Sequence, residues 1–377
     1  MEARKNYLDN IRWITIILVV IFHIYFYYNN IGIDAMFAGV SPFEGQITFA
    51  GLFQYIVYPW FMVLLFIIAG MSARYALKKR TTKEFLKSRV DKLLAPSTLG
   101  VLAFGWIGGY IIYIHIASRS MPADTPGFVG VIITICSGIG ALWFCHVLFV
   151  ATLFLLLVRK IITKCHGSDD SVCNWFEKIT ESRLGFSILL IIMYFILWGG
   201  SHILNMPLIT SYRNGIYIPA FLFGYYIFSN DIMIGRLKKL VLPFFLLTII
   251  SGVFYIMRCY GLEYGAVKTL SRWDVNLYAF LMILLVLGAG AGYLENRNGF
   301  TDYMKQRCFG IYVLHIPVLL VTNYLLAGTA LPMTVIYLIE LVSAIVFSIL
   351  HYEILHRIPI LRYWIFGMRK SSGRGKE

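Results

Sequence analysis

Residues 55–76 read YIVYPWFMVLLFIIAGMSARYA, and the fold follows from them. About 20 mostly apolar residues in a helix cross the roughly 30 Å of hydrocarbon in a bilayer. This stretch holds no charge before Arg74 near its end. Working outward, similar runs recur near 11–29, 94–117, 139–158, 185–200, 214–229, 238–257, 274–292, 308–327 and 332–354. Lipid leaves no partner for an exposed peptide group, so each run must satisfy its own backbone as a helix. The expected architecture is an all-α polytopic transmembrane bundle of about ten spans. The sixth, short and aromatic, is the weakest of them.

Composition agrees. Of 377 residues 59% are apolar and 14% charged, against roughly 25% charged in soluble domains. The net charge is +14. Its cations fall in short clusters between apolar runs, which suits anionic lipid headgroups and argues against nucleic acid as a partner. Cytoplasmic loops of membrane proteins are rich in Lys and Arg. With the N-terminus inside, 28 of the 33 Lys and Arg lie in inside segments and 5 outside. Both termini are therefore expected in the cytoplasm. The first run follows Arg4 and Lys5, as a signal peptide would, but its length and His23 make it a retained span. Nothing divides the chain, so residues 1–358 read as one transmembrane domain and 359–377 as a basic cytoplasmic tail. The six cysteines include no CxxC pair, and Cys165, His166 and Cys173 read as parts of an ordinary loop, so no metal is expected.

Ionisable groups inside hydrocarbon are functional candidates by default. The first run, LDNIRWITIILVVIFH, places His23 eleven residues after Arg12, about 16 Å deeper and on one helix face, with Asp9 a turn earlier. That stripe is either a shared path or a snorkelling arginine with a hydrogen-bonding histidine. His315 follows Tyr312 on one face within RCFGIYVLHIPVLL, and His146 follows Trp143 within GALWFCHVLF. Glu340 and Glu353 lie in the last run, and His202 and Arg213 flank a short outer loop. The largest basic cluster, KKRTTKEFLKSRVDK, is either a lipid anchor or a cradle for a polyanion such as coenzyme A. Outer loops carry Asp34, Glu44, Asp124 and Glu263 with Phe37, Phe43 and Trp273, groups that bind sugars and are also common in wetted loops.

These residues give the chain a resemblance to the membrane acyltransferase-3 family, and within it to ten-span glucan succinyltransferases and surface-glycan O-acetyltransferases. Asp9, Arg12 and His23 resemble the family's opening signature. YPWFMVLLFIIAGMSARYAL, with Pro59 and Gly70, resembles its second span. FLKSRVDKLLAP resembles its basic Arg-x-x-Arg-Leu-x-x-Pro motif, with Arg89 first, Lys92 in place of the second Arg, and Pro96. GALWFCHVLF, YIPAFLFGYYIF, FGIYVLHIP and HRIPILRYWIFG resemble later elements, with Ala141 where this branch often has His. The departure at Lys92 replaces a bidentate fork with a point charge.

The resemblance implies transfer of an acyl group, most simply acetyl, from cytoplasmic acyl-CoA to a hydroxyl of a surface or exported glycan, at a bacterial cytoplasmic membrane. Succinyl transfer and a non-enzymatic exporter or flippase are the alternatives. His23 would act as general base or transient acyl carrier, with Arg12 and His315 beside it. Arg12, Lys79, Arg80, Arg89 and Lys92 would hold the phosphates of acyl-CoA. Tyr312, Trp143, His146 and Glu44 would line the acceptor site.

Overall fold

The computed structural model describes residues 5–28, 48–115, 126–205, 212–326 and 329–368. It is a bundle of helices, and nine helical stretches among the described residues are long and apolar enough to cross a membrane. They fall on nine of the ten expected runs. The sixth differs. Helix α10 (Asn214–Phe223) runs into a five-residue π-helical turn, Gly224–Phe228, and the two together are shorter than a span. Gly215, Ile216, Tyr217, Ala220, Phe221 and all five residues of the turn are buried. This element packs on protein instead of lipid, which lets it be short, carry Pro219 and present tyrosines.

The frame is built around α1 (Asn6–Tyr28) and α3 (Phe61–Leu77), which follows α2 (Thr48–Val57). Helix α3 is the stretch quoted first, and most of its side chains are buried on all sides. An all-round apolar helix with no lipid face belongs at the centre of a bundle. It meets α10 closely because both faces are small. A Cβ on Gly70 would lie 2.0 Å from the Phe221 carbonyl oxygen, and one on Gly224 would lie 2.0 Å from that of Ile67.

Helix α4 (Thr82–Arg89) starts at a capping box in which Thr81 and Glu84 satisfy each other's backbone N–H groups. It continues through a π-helical turn at Val90–Leu94 into α5 (Ala95–His115). The basic cluster between the second and third runs is thus largely helical. Helix α6 (Gly127–Ser137) lies within the stretch expected to be an outer loop, yet it is apolar and packs tightly on α5, where a Cβ on Gly109 would lie 1.7 Å from the Thr134 carbonyl oxygen.

Helices α7 (Trp143–His166) and α9 (Arg183–Gly200) are joined through α8 (Asp170–Glu181). The Asp169 carboxylate accepts from Tyr225 (2.6 Å), Tyr226 (2.8 Å), Arg159 Nε (2.9 Å) and Arg74 Nη1 (3.2 Å). Four donors on three elements hold the start of α8 in place. The chain continues through α11 (Asp231–Lys239), α12 (Val241–Cys259), α13 (Val267–Leu270), α14 (Trp273–Tyr293), α15 (Gly299–Leu326) and α16 (Met333–Leu355). Beyond residue 358 it forms one more helix, α17 (Pro359–Phe366), whose Tyr363 hydroxyl donates to Asp91 (3.1 Å) in the π turn before α5. Helix α17 ends at Gly367, with φ +62°, where a Cβ would lie 1.9 Å from the Asp91 carbonyl oxygen.

Candidate active site

Helix α1 carries Asp9, Arg12 and His23, and α15 carries Lys305, Tyr312 and His315. The two helices pack along their length. At one end, Asp9 bridges them. Its Oδ1 accepts from Arg12 Nη1 (3.0 Å), and its Oδ2 lies 3.3 Å from Lys305 Nζ. Arg12 Nη2 donates to Ser72 Oγ on α3 (2.8 Å), so the guanidinium is held between two helices.

A cavity of about 550 Å³ opens beside Arg12. Its rim carries Lys5, Lys79 and Arg89, and its floor is apolar, with Ile16, Leu65, Phe144 and Leu148. Tyr312 stands among the lining residues. Arg89 is half-buried and stacks on the Phe85 ring at 4.7 Å, and among the described residues no carboxylate pairs with it. The charges that act on it are those of Arg12 and Arg80, both of its own sign. A concave site with several cations and one bridged carboxylate suits a polyanion with an apolar arm. Of the residues expected to hold phosphates, Arg12, Lys79 and Arg89 line this cavity together. Lys92 and Arg80 are exposed and stand outside its walls, close enough for their charges to interact.

One turn beyond Tyr312, the two span histidines meet. His315 is fully buried, and its Nε2 lies 3.4 Å from Nδ1 of His23. His315 Nδ1 lies 2.7 Å from the Tyr312 carbonyl oxygen, and His23 Nδ1 lies 2.7 Å from that of Val19. A carbonyl only accepts, so neutral rings carry their protons on Nδ1 in both cases. His315 Nε2 then has a lone pair facing the His23 N–H, and Nε2 becomes the basic nitrogen of His23. A base whose ring is oriented by a second group is a recurrent arrangement in proton-transfer catalysis.

The Tyr312 hydroxyl donates to the Ala141 carbonyl oxygen. Ala141 lies in the 3₁₀ turn Gly140–Leu142 that begins α7, and Gly140 has φ +49°. The phenol beside His315 is thus held by the backbone of the turn that carries Ala141. Trp143 and His146 lie elsewhere. Trp143 packs on Tyr217 (ring centroids 5.7 Å) and Tyr212 (6.1 Å), and His146 Nδ1 lies 3.2 Å from the Tyr212 hydroxyl. Their link to the histidine pair runs through Phe144, which meets Tyr312 at 5.9 Å. Glu44, like Asp34, Phe37, Phe43 and Asp124, lies outside the described residues. Sequence reasoning missed Ser72, Lys305, Cys145 and Cys308 as site residues, because single polar or small residues on a helix face look like ordinary packing.

No curated relative and no solved structure matches the chain significantly. The model of the acyltransferase-3 family, described as an acyltransferase domain, matches residues 5–353. With nearly the whole transmembrane region covered, the chain belongs to the acyltransferase-3 family and is a membrane acyltransferase.

Proposed function

We propose that the protein transfers an acyl group, most simply acetyl, from cytoplasmic acyl-CoA to a hydroxyl of a surface or exported glycan at the bacterial cytoplasmic membrane. The observation that carries this reading is the cation-rimmed, apolar-floored cavity whose inner wall, Tyr312, is one turn from the histidine pair. Phosphates bind at Arg12, Lys79 and Arg89, and the pantetheine arm runs along the apolar floor. Arg12 and His23 are about 16 Å apart along α1, a separation that an extended arm bridges.

The acceptor hydroxyl is a poor nucleophile until its proton is taken. His23 Nε2 accepts that proton as the oxygen attacks the thioester carbonyl. The C–S bond breaks, and the proton passes to the departing thiolate to give free CoA thiol. The two-step variant has Nε2 attack the carbonyl, release the thiolate and hand the acyl group to the hydroxyl, whose proton ends on the thiolate as free CoA thiol. His315 fixes the ring in either case.

The test uses the full chain in lipid nanodiscs, with acetyl-CoA and a glucan oligosaccharide. Thiol release is followed by a chromogenic reagent and the sugar by mass spectrometry. His23→Gln should lower turnover at least about 100-fold. Arg89→Gln should raise KM for acetyl-CoA with little change in kcat. Absence of thiol release by the wild type with any acyl-CoA, in the presence of any glycan, overturns the reading.

A further inference from the structure

At the opposite end of α1 from the Arg12 cavity lies a second cation that the acyl-CoA reading does not use. Arg213 precedes α10 and is 4% exposed. Its Nη2 donates to the Leu270 carbonyl oxygen (3.2 Å), whereas its Nε is buried without a hydrogen-bond partner. Among the described residues no carboxylate forms an ion pair with it. The groups its charge acts on are Tyr217 and Tyr58, and a phenol is neutral at ordinary pH. Glu263 acts on Tyr58 but forms no pair with Arg213.

A buried guanidinium with a single carbonyl acceptor is unfavourable by itself. The fold nevertheless holds it there firmly. Its backbone forms an isolated bridge with Asn205, and the next residue's N–H donates to Leu204 O (3.2 Å). Leu204 adopts φ +53°, a strained conformation for a branched side chain. The positive end of the α10 dipole adds to the same field. Strain and an unmatched charge maintained together are what a ligand site would require.

Two aromatic rings, Tyr58 and Phe22, separate Arg213 from the histidine pair. Tyr58 stacks on Phe22 at 5.2 Å, and Phe22 meets the ring of His23 at 5.4 Å. Tyr217 lies against Trp143 and stacks on Phe66 at 4.5 Å. A guanidinium bordered by two phenols, two rings from the base, is chemistry for a carboxylate, with the phenols left to meet hydroxyls.

We propose that Arg213 receives a carboxylate borne by the substrate, on either the acyl group or the acceptor, and so selects an anionic substrate. This rests on the acyltransferase reading above. The phosphate cavity and the carboxylate site then bracket the reacting atoms, one cationic group at each end of α1.

The experiment separates the two sources. Wild type and Arg213→Gln in nanodiscs are assayed for thiol release with succinyl-CoA and acetyl-CoA against a neutral gluco-oligosaccharide. Acetyl-CoA is then tested against an oligoglucuronate and its neutral counterpart. A carboxylate on the acyl group gives the wild type a kcat/KM preference for succinyl-CoA of about 30-fold or more, and one on the acceptor gives that preference for the glucuronate. Either preference should fall to near unity in Arg213→Gln. If that variant does not fold, Arg213→Lys, a point charge without the fork, should show the same preference reduced. Thermal denaturation of the wild type provides a readout apart from turnover, with succinate stabilising it and butane-1,4-diol not. Thiol release without a preference in either arm, or a preference unchanged in the variants, overturns the carboxylate site and leaves the acyltransferase reading standing. Absence of thiol release from the wild type with every pair removes both.

Discussion

His315 is committed on both sides of its ring, to the Tyr312 carbonyl through Nδ1 and toward His23 through Nε2. On the proposed mechanism it acts through His23, as a positioning residue. A glutamine retains an acceptor on the distal side and an alanine does not, so His315→Gln should keep more turnover than His315→Ala. Both should lower kcat and leave KM for acetyl-CoA nearly unchanged, because the cations proposed to hold its phosphates line the cavity and not the histidine pair. An equal effect of both variants on KM would place His315 in donor binding instead. Tyr312 provides a separate test. Its hydroxyl donates to the Ala141 carbonyl oxygen inside the bundle, which also accepts the Trp143 N–H, so Tyr312→Phe removes one of two donors. The loss should be about 0.5–1.5 kcal/mol, read as a lower midpoint in thermal denaturation. Arg12, His23, Tyr312 and His315 are legible in sequence because polar groups stand out in apolar helices. That His315 meets His23 is not, since the register of α15 on α1 is set by packing along both helices.

At the scale of elements, α3 against α10 and its π turn is the contact on which the centre depends. Gly70 and Gly224 let two backbones approach to within a side chain's radius. Small residues at helix crossings serve this purpose in membranes, where lipid leaves no hydrophobic drive for association. Gly224→Val would force these helices apart and should abolish recovery of monodisperse protein. Gly235 in α11 is the internal control. A Cβ there meets nothing within 4 Å, so Gly235→Ala should leave the midpoint unchanged or raise it by the helix propensity gained, up to about 1 kcal/mol. Losing both proteins equally would mean that helix interiors here reject any added Cβ, whatever the space. The sixth run reads poorly in sequence for the same physical reason. Hydropathy measures a helix's fitness for lipid, and a helix enclosed by protein is under no such demand. The same holds for α6, whose partner is α5 and whose length falls short of a span.

For the molecule as a whole, the run-by-run hydropathy recovers the architecture because every span must satisfy its own backbone. The cavity is less legible, since Arg12 on α1, Lys79 after α3 and Arg89 on α4 converge only once the helices are packed. Orientation rests on the distribution of Lys and Arg, and one cysteine can test it. Cys165 is exposed in the last turn of α7, at the bundle end that holds Arg159, Asp169 and Arg74. Lys79, on the cavity rim, follows Arg74 by little more than a turn, so Cys165 reports on the side from which the cavity opens. Cys145, Cys259 and Cys308 are buried, and burial pushes the Cys173 thiol up to about 11, leaving it protonated and slow to alkylate at pH 7.5. With Cys136→Ser to remove the other exposed thiol, a membrane-impermeant maleimide should label Cys165 only after cells are permeabilised. Labelling in intact cells would invert the bundle. The cavity would then face away from the cytoplasm, and acyl-CoA, which is cytoplasmic, could not be the donor proposed for Arg12 and Arg89.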